Sequence, residues 1–144
     1  MTATIVLGAD HAGFALKQIC LEHLRQLGLP SEDLGTDSAE VSCDYPWFAA
    51  KVAERVLARD GLGLLICGSG LGMSMVANRF SGIRAALCGN EFSARVSRQH
   101  NNANVLCLGA RVTGQDLALS VLDTFLKTDF EGGRHQRRLD LFEK

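Results

Sequence analysis

The sequence predicts a single α/β domain, a doubly wound sandwich in which helices cover both faces of a parallel sheet of about five strands. Short apolar runs alternate with longer segments of helical periodicity along the chain. The run at 62–67 is apolar at nearly every position, as expected for a strand buried on both faces. With 144 residues, only 2 prolines and no linker-like stretch, the chain has the length and composition of one domain.

Local signals predict the elements of the first half of the chain. A buried strand is predicted at 4–8, and the apolar positions after it recur every three or four residues, as in an amphipathic helix that ends at Gly28. A weaker strand is predicted near 29–34. Asp44 followed by Pro46 marks the start of a second helix. The positions predicted to form its buried stripe are Phe48, Ala49, Val52, Ala53, Val56 and Leu57.

The second half of the chain begins with the most clearly predicted strand, at 62–67, which should lie near the centre of the sheet. The glycine-rich turn at 68–72 leads into a helix that continues to about Phe80. The remaining elements are predicted in the order strand 83–88, helix 91–99, strand 104–108 and helix 117–125. Strands and helices therefore alternate to the end of this region, as a parallel sheet requires.

The C-terminal stretch at 131–144 is predicted to be helical, but its apolar anchors are only Leu139, Leu141 and Phe142. A face this sparse cannot hold a helix firmly against its own domain. We therefore expect this helix to pack at a subunit interface. The sequence thus predicts one domain over 1–144 and a homo-oligomer, most simply a homodimer.

Composition and charge argue against several classes of partner. The formal net charge is −1, from 15 basic and 16 acidic residues, which gives no electrostatic case for nucleic acid or an anionic membrane surface. The five cysteines form no CxxC pair, and their spacing suggests neither a zinc site nor a disulfide framework. No apolar run approaches the length of a membrane span, and the N-terminus lacks a signal-peptide pattern. We expect a cytoplasmic protein.

A glycine loop, Gly68–Gly72, follows the predicted central strand and has glycine at every second position. Its backbone amides could converge on an anion at the start of the next helix. It is neither the GxGxxG fingerprint nor a P-loop, and many such turns only permit tight packing. Cys67 directly precedes the loop, where a positive potential would favour its thiolate. The alternative is an inert strand cysteine, as we interpret Cys88 and Cys107.

Three further polar residues are predicted at the same sheet edge. Asp10 and His11 close the first strand, and the carboxyl ends of parallel strands meet at one edge. Asp10 could bind a ligand or could instead cap the helix that follows. Ser69, within the glycine loop, could hydrogen-bond the thiolate or a substrate, or could serve as an ordinary helix cap.

A histidine and an arginine cluster complete the candidate chemistry. His100 lies in a polar turn between a helix and a strand, and histidine is suited to proton transfer near neutral pH. Arg134 and Arg138 are four residues apart on one face of the C-terminal helix, where an anion would relieve their repulsion, and Arg111 could add a third contact. The alternative for the arginines is a solvated basic face. We interpret the other histidines, His23 and His135, as surface residues.

Together these parts favour an isomerase of phosphorylated sugars. An activated thiol can remove a proton next to a carbonyl, amides can hold the enediolate, and arginines can hold the phosphate. Two alternatives remain open from the residues alone. One is a non-catalytic module that binds a nucleotide or phosphosugar. The other is redox sensing by Cys67, for which the spacing identifies no resolving thiol.

The sequence resembles a known family, ribose-5-phosphate isomerase B with its galactose-6-phosphate isomerase relatives. The matching motifs span nearly the whole chain and are GADHAGFALK at 8–17, DYP at 44–46, ICGSGLGMSMVANRFSGIRAA at 66–86, SRQHNNANVLCLGARVTG at 97–114 and EGGRHQRR at 131–138. The resemblance implies a Rossmann-like three-layer α/β/α fold and homodimers with shared active sites. It also implies aldose–ketose interconversion through an enediolate, with no metal and no cofactor.

The resemblance also implies roles for individual residues. It makes Cys67 the base and His100 the ring-opening acid, with Ser69 beside them. The substrate-binding residues that it implies are Asp10, His11, Tyr45, Gly68, Gly70, Leu71, Gly72 and Asn101. The phosphate-binding residues that it implies are His11, Arg111, Arg134 and Arg138.

This sequence differs from the usual sequence of the family at two places that bear on mechanism and substrate. Some members of the family use a glutamate on the next helix as the base, whereas positions 73–76 here are Met-Ser-Met-Val, which leaves Cys67 as the candidate. Ser69 replaces the usual threonine. The leading expectation is interconversion of ribose 5-phosphate and ribulose 5-phosphate. The same chemistry on a tetrose 4-phosphate, allose 6-phosphate or galactose 6-phosphate is the alternative.

Overall fold

Strands and helices alternate along residues 3–143, which a computed structural model describes. Met1, Thr2 and Lys144, the last residue of the predicted C-terminal helix, lie outside the described residues. In chain order the elements are β1 (Ile5–Ala9), α1 (Phe14–Gln26), β2 (Ser31–Asp33), α2 (Tyr45–Arg59), β3 (Leu62–Cys67), α3 (Leu71–Ala77), β4 (Ala85–Leu87), α4 (Glu91–Gln99), β5 (Val105–Gly109), α5 (Gln115–Lys127) and α6 (Arg134–Leu139).

The sheet confirms the predicted architecture. Its five strands are all parallel and lie in the order β2-β1-β3-β5-β4, so β3 is the central strand, as predicted. Ile66 of β3 pairs with Ala9 of β1, and Cys67 pairs with Gly109 of β5. The carboxyl ends of these three strands therefore lie side by side at one edge of the sheet.

Helices cover both faces of the sheet and bury its apolar side chains. α1, α4 and α5 pack on one face through a core that includes Leu24 and Phe125. α2 and α3 cover the other face through a second core that includes Val52 and Met73. All four of these side chains are at most 1% exposed, so the two cores exclude water and supply the main free energy of folding.

One strand is shorter than predicted because other groups take the backbone hydrogen bonds at its start. The predicted strand at 83–88 contains only Ala85–Leu87. The Asn78 side-chain amide donates to the carbonyl of Ala85 at 3.0 Å and accepts from its amide at 2.8 Å. Asn104 Oδ1 accepts from the amide of Arg84 at 2.8 Å. Ala85 still pairs with Val105 of β5, but the amide of Arg84 is taken by Asn104 and that of Ile83 by the carbonyl of Phe80, so β4 begins only at Ala85.

The buried stripe of α2 is narrower than predicted. Ala49, Val52, Ala53 and Val56 are buried, but Leu57 is 42% exposed. The stripe ends at Val56, and Leu57 is the next residue in the chain, a step of about 100° around a helix. That step carries its side chain to the rim of the helix, away from the sheet.

The C-terminal helix is also shorter than predicted, since α6 spans Arg134–Leu139 rather than 131–144. Gly132 and Gly133 precede it with φ angles of 69° and 57°, which are not helical. Beyond α6 the chain continues in turns, in which the amide of Phe142 donates to the carbonyl of Leu139 at 3.0 Å. Within residues 3–143, no helix has both the length and the apolar composition to cross a membrane.

Candidate active site

The carboxyl ends of β1 and β3 open into a cleft of about 480 Å³. The two strands are neighbours, but the chain continues from β1 to one side of the sheet and from β3 to the other. The loops diverge at such a switch point, which is where parallel α/β sheets bind ligands. The cleft is lined by Asp10, Tyr45, Cys67, Gly68, Ser69, Gly72, Arg111 and Val112, and all of these except Val112 are residues predicted for the site.

The thiol of Cys67 is held by the glycine loop. Cys67 is 5% exposed, and its Sγ accepts a hydrogen bond from the backbone amide of Gly70 at 3.1 Å. Gly70 has a φ of +81°, and a Cβ there would lie 3.0 Å from the carbonyl carbon of Leu108. Only glycine therefore lets the loop turn back onto the sulfur. A backbone donor at this distance stabilises negative charge on sulfur.

The other buried thiols lie in apolar surroundings. All five cysteines are free, and Cys20, Cys88 and Cys107 are buried with Cys67. Burial raises the pKa of Cys20 to about 12 and also raises the pKa of Cys88. The pKa of Cys107 is raised by burial and by the neighbouring thiols of Cys67 and Cys88. These three thiols are neutral near pH 7, which fits the interpretation of Cys88 and Cys107 as inert.

Asp10 and His11 follow β1, and backbone amides donate hydrogen bonds to both side chains. Asp10 Oδ1 accepts from the amides of Ala12 at 3.0 Å and Gly13 at 3.1 Å, so Asp10 both caps the turn before α1 and lines the cleft. His11 Nδ1 is 3.2 Å from the amide of Cys43, which donates to it. This bond places the proton of the neutral imidazole on Nε2, so that Nε2–H can donate to a ligand.

Two long side chains narrow the cleft where glycines of the loop leave room. The Tyr45 ring packs against Gly72, and its hydroxyl oxygen lies 2.7 Å from where a Cβ of Gly72 would be. Arg111 Nη1 lies 3.2 Å from the corresponding position at Gly68. An alanine at either glycine would push these side chains away. The loop therefore brings a phenol and a guanidinium close to the thiol.

Ser69 forms a turn before α3 and is not the helix cap considered from the sequence, because Gly70 occupies the cap position of α3. Its Oγ accepts a hydrogen bond from the amide of Leu71 at 3.2 Å. Ser69 is exposed and lines the cleft, so its hydroxyl hydrogen is available to a ligand. Leu71, the next residue but one and also predicted to bind substrate, is 51% exposed to solvent.

The remaining predicted residues lie at the opposite edge of the sheet. His100 and Asn101 precede β5, whereas Cys67 pairs with Gly109 at the carboxyl end of that strand. The length of β5 separates the two edges by about 13 Å at about 3.3 Å per residue. Asn101 lines a separate cleft of about 430 Å³. A single chain therefore does not bring His100 and Asn101 to the thiol.

The predicted phosphate-binding arginines are divided in the same way. Arg111 lines the cleft beside Cys67. Arg134 and Arg138 lie on α6, next to the end of α4, because the amide of Glu131 donates to the carbonyl of Gln99 at 3.1 Å. The four-residue spacing holds on α6, but the three arginines do not form one cluster within a chain.

Two histidines differ from their interpretation as surface residues. His135 is only 5% exposed, and its ring stacks on that of His100 with centroids 4.4 Å apart and planes 10° from parallel. His23 is half-buried between α1 and α5, with Nε2 2.7 Å from Asp123 Oδ1. The sequence around His135 is polar and gives no local sign of burial.

One group of side chains within residues 3–143 has potential metal ligands close together. Ligand atoms of His100, Glu131 and His135 all lie within 4.8 Å of one another. A metal ion binds in the plane of each imidazole that ligates it. The two histidine rings stack almost parallel, so one ion cannot lie in both planes. The geometry therefore does not fit a shared metal.

The fold and the cleft define a class, doubly wound α/β proteins that bind a small ligand at the switch point of the sheet. Comparison with known proteins is more specific. A model of the ribose/galactose isomerase family matches residues 5–142. Ribose-5-phosphate isomerase B of Escherichia coli (strain K12) is 48% identical over 138 residues, which cover 94% of this chain and 91% of that protein. The chain belongs to the ribose/galactose isomerase family.

Solved structures of relatives share the whole fold. A ribose 5-phosphate isomerase from Thermotoga maritima aligns with a TM-score of 0.95 at 48% identity, covering 99% of this chain and 98% of that one. Ribose-5-phosphate isomerase B from Mycoplasma genitalium, solved with bound ribulose-5-phosphate, aligns with a TM-score of 0.93 at 45% identity. That alignment covers 97% of this chain and 93% of the relative.

Proposed function

We propose that this protein is an isomerase that interconverts ribose 5-phosphate and ribulose 5-phosphate through an enediolate. The observation that carries the proposal is the thiol of Cys67 at the switch-point cleft, with the Gly70 amide donating to its sulfur at 3.1 Å. Family membership and the names of the Escherichia coli and Mycoplasma genitalium relatives support the choice of substrate.

In this proposal the thiolate of Cys67 removes the proton from the carbon next to the sugar carbonyl. The electron pair of the broken C–H bond forms the enediolate, and the thiol, whose proton exchanges with water, then delivers a proton to the neighbouring carbon. The isomerisation is completed when the hydroxyl proton moves from one enediolate oxygen to the other. Amides of the glycine loop hold the enediolate oxygen, and each such donor contributes about 100- to 1000-fold in rate. Ser69 donates to the thiolate or to the substrate.

The other residues bind the sugar and open its ring. Asp10, Tyr45 and the Nε2–H of His11 orient the hydroxyl groups at the cleft, and Arg111 offers charge to the phosphate. His100 transfers a proton to the ring oxygen of the furanose, which exposes the carbonyl. Asn101, Arg134 and Arg138 act with it on the substrate and its phosphate.

We infer that two chains share each site as a homodimer. His100, Arg134 and Arg138 are separated from Cys67 of the same chain by the length of β5, so they can act with a thiol only in a neighbouring subunit. This arrangement also gives the weakly anchored C-terminal region, 131–144, a surface to pack against. The proposal thus explains both the divided site and the sparse apolar face of α6.

A cytoplasmic location is part of the proposal. It is supported by the five cysteines, all of which are free thiols, as in proteins of reducing compartments. The proposed reaction belongs to carbohydrate metabolism and to the pentose phosphate pathway.

A panel of phosphosugars tests the proposed substrate. Isomerisation of ribose 5-phosphate, erythrose 4-phosphate, allose 6-phosphate and galactose 6-phosphate is compared by kcat/KM, with EDTA present throughout. We expect ribose 5-phosphate to be preferred and EDTA to have no effect. A tenfold preference for another sugar would keep the chemistry and change the substrate. No turnover of any of the sugars would leave a phosphosugar-binding module as the better proposal.

A further inference from the structure

His135 makes its closest aromatic contact with the proposed ring-opening histidine. Its ring lies against that of His100 with centroids 4.4 Å apart and planes 10° from parallel. The side chain comes from α6, some 35 residues along the chain, and is 5% exposed. The amide of Glu131 donates to the carbonyl of Gln99 at 3.1 Å, which joins the two segments beside the stack.

Hydrogen bonding does not explain the burial of His135. Among the described residues its Nε2 has no hydrogen-bond partner, and the nearest carboxylate oxygen, on Glu131, is 3.8 Å away. A buried polar atom without a partner lowers stability. The pKa of His135 is lowered by burial and then by the charges of His100 and Arg134, so the ring is neutral near pH 7. A neutral aromatic face is favourable next to an imidazolium.

The backbone of His100 is held from the other side. Its amide donates to the carbonyl of Val96 at 2.8 Å. Two residues later Asn102 has a φ of 45°, in the left-handed region that asparagine adopts more readily than most residues other than glycine. Arg84 Nε donates to the Asn102 carbonyl at 2.8 Å, and Arg98 Nη1 donates to its Oδ1 at 3.2 Å. With this turn fixed, the remaining freedom of His100 is rotation of its side chain.

We propose that His135 is a positioning residue that fixes the imidazole of His100, through the stack, for ring opening of the sugar. The inference rests on the proposed function. Proton transfer needs the donor nitrogen within hydrogen-bond reach of the ring oxygen, and small misplacements of a reacting group reduce rates severely. The packed face of His135 removes the rotations that would take His100 away from that position.

This role separates two steps of the reaction. Ribose 5-phosphate is mainly a furanose, and its ring must be opened to form the carbonyl before the proton on the neighbouring carbon becomes acidic. Ribulose 5-phosphate has its 5-hydroxyl phosphorylated, so it cannot close a furanose ring and is open-chain. Proton exchange at C1 of ribulose 5-phosphate therefore needs the base but not ring opening. Loss of the stack should slow the turnover of ribose 5-phosphate and leave this exchange unchanged.

Two substitutions separate the effect of ring stacking from the effect of the ring nitrogens of His135. His135→Phe keeps an aromatic face and removes both nitrogens, whereas His135→Gln keeps polar atoms and removes the face. We expect His135→Gln to lower kcat for ribose 5-phosphate about tenfold or more, and His135→Phe to stay within about threefold of the parent. Deuterium incorporation at C1 of ribulose 5-phosphate in D₂O, followed by NMR, should match the parent in both variants.

Three results would overturn this role. Equal turnover by His135→Gln and the parent would show that the stack does not matter. Loss in both variants, or in His135→Phe alone, would assign the effect to the ring nitrogens. An equal loss of deuterium exchange and turnover in His135→Gln would indicate general damage to the site. Thermal unfolding of each variant shows that it is folded. Inactivity of the parent would instead contradict the proposed function.

Discussion

The sulfur of Cys67 contacts a backbone amide, whereas the other buried thiols lie in the apolar cores. The difference comes from one glycine, because Gly70 can adopt a φ of +81° and direct its amide back at the sulfur. The thiol of Cys88 instead donates to the carbonyl of Ala86, at 3.7 Å. Two cysteines at the ends of parallel strands therefore differ in chemistry through the loop that follows each one.

The first prediction concerns the base. Cys67→Ser should lower kcat by about 100- to 10,000-fold, because a serine hydroxyl is a far weaker base than a thiolate at neutral pH. Substrate affinity, measured by calorimetry, should remain close to that of the parent. Cys88→Ser is the matched control and should keep its turnover within about twofold. Activity of Cys67→Ser within a few-fold of the parent would remove Cys67 as the base.

The second prediction concerns the buried thiol of Cys20. Its pKa is raised from 9.0 to about 12 by burial, so the native state keeps a proton that the unfolded state loses. This contribution to stability is complete below pH 9 and is lost as the pH rises from 9 to 12, by about 1.4 kcal/mol per pH unit. In urea denaturation with reductant present, Cys20→Ala should lose less stability than the parent between pH 9 and 10.5. An equal loss of unfolding free energy in Cys20→Ala and the parent would contradict this expectation.

At the scale of elements, α6 is a helix of only six residues that carries two of the proposed phosphate-binding arginines. Gly132 and Gly133 set its start, and its six residues place Arg134 and Arg138 on successive turns beside the end of α4. His135 between them packs inward on His100, so α6 is anchored through a polar side chain rather than an apolar stripe. The buried face of a helix cannot be identified by hydropathy when its anchor is a histidine.

The third prediction concerns this helix. Arg134→Ala should raise KM for ribose 5-phosphate about tenfold or more, since a charge-assisted hydrogen bond to phosphate contributes about 1.5–3 kcal/mol. The effect on kcat should be smaller, because the phosphate is bound alike in substrate and transition state. Arg137→Ala, an exposed position on the same helix, is the control and should leave KM unchanged. Equal KM values for the two variants would assign Arg134 to a solvated face.

At the scale of the whole molecule, the residues of the proposed site lie at two opposite edges of the sheet. A parallel sheet places every strand-to-helix loop at one edge and every helix-to-strand turn at the other. Cys67 belongs to the first kind of connection and His100 to the second. No rearrangement within the domain could bring the two together without breaking β5 out of the sheet.

The fourth prediction tests this division by mixing two inactive variants. Cys67→Ser and His100→Gln each lack one half of every site. A mixed dimer would contain one site with both defects and one intact site. Random pairing of equal amounts should therefore restore about a quarter of the parent activity. Each variant alone is the control, and light scattering should show dimers throughout. Mixed dimers without restored activity would contradict shared sites.

Much of the fold follows from local signals. The predicted helix at 91–99 is α4 with the same bounds, and the predicted central strand at 62–67 is β3. β4 was predicted too long because the amides of Ile83 and Arg84 bond to the carbonyl of Phe80 and to the side chain of Asn104, and contacts of this kind leave no periodic pattern. His135 was wrongly predicted to be a surface residue because its burial depends on a residue 35 positions away, not on its neighbours in the chain.

The amino-acid sequence by itself determined the alternation of elements, the thiol beside the glycine loop and the family. All three depend on residues close together in the chain, where periodicity, turn chemistry and motif spacing act. Only the tertiary structure decided which candidate residues share a cleft, that His135 stacks on His100, and that the arginines divide between two edges. The physical reason is that proximity across the sheet is set by strand order and packing, which join residues far apart in sequence.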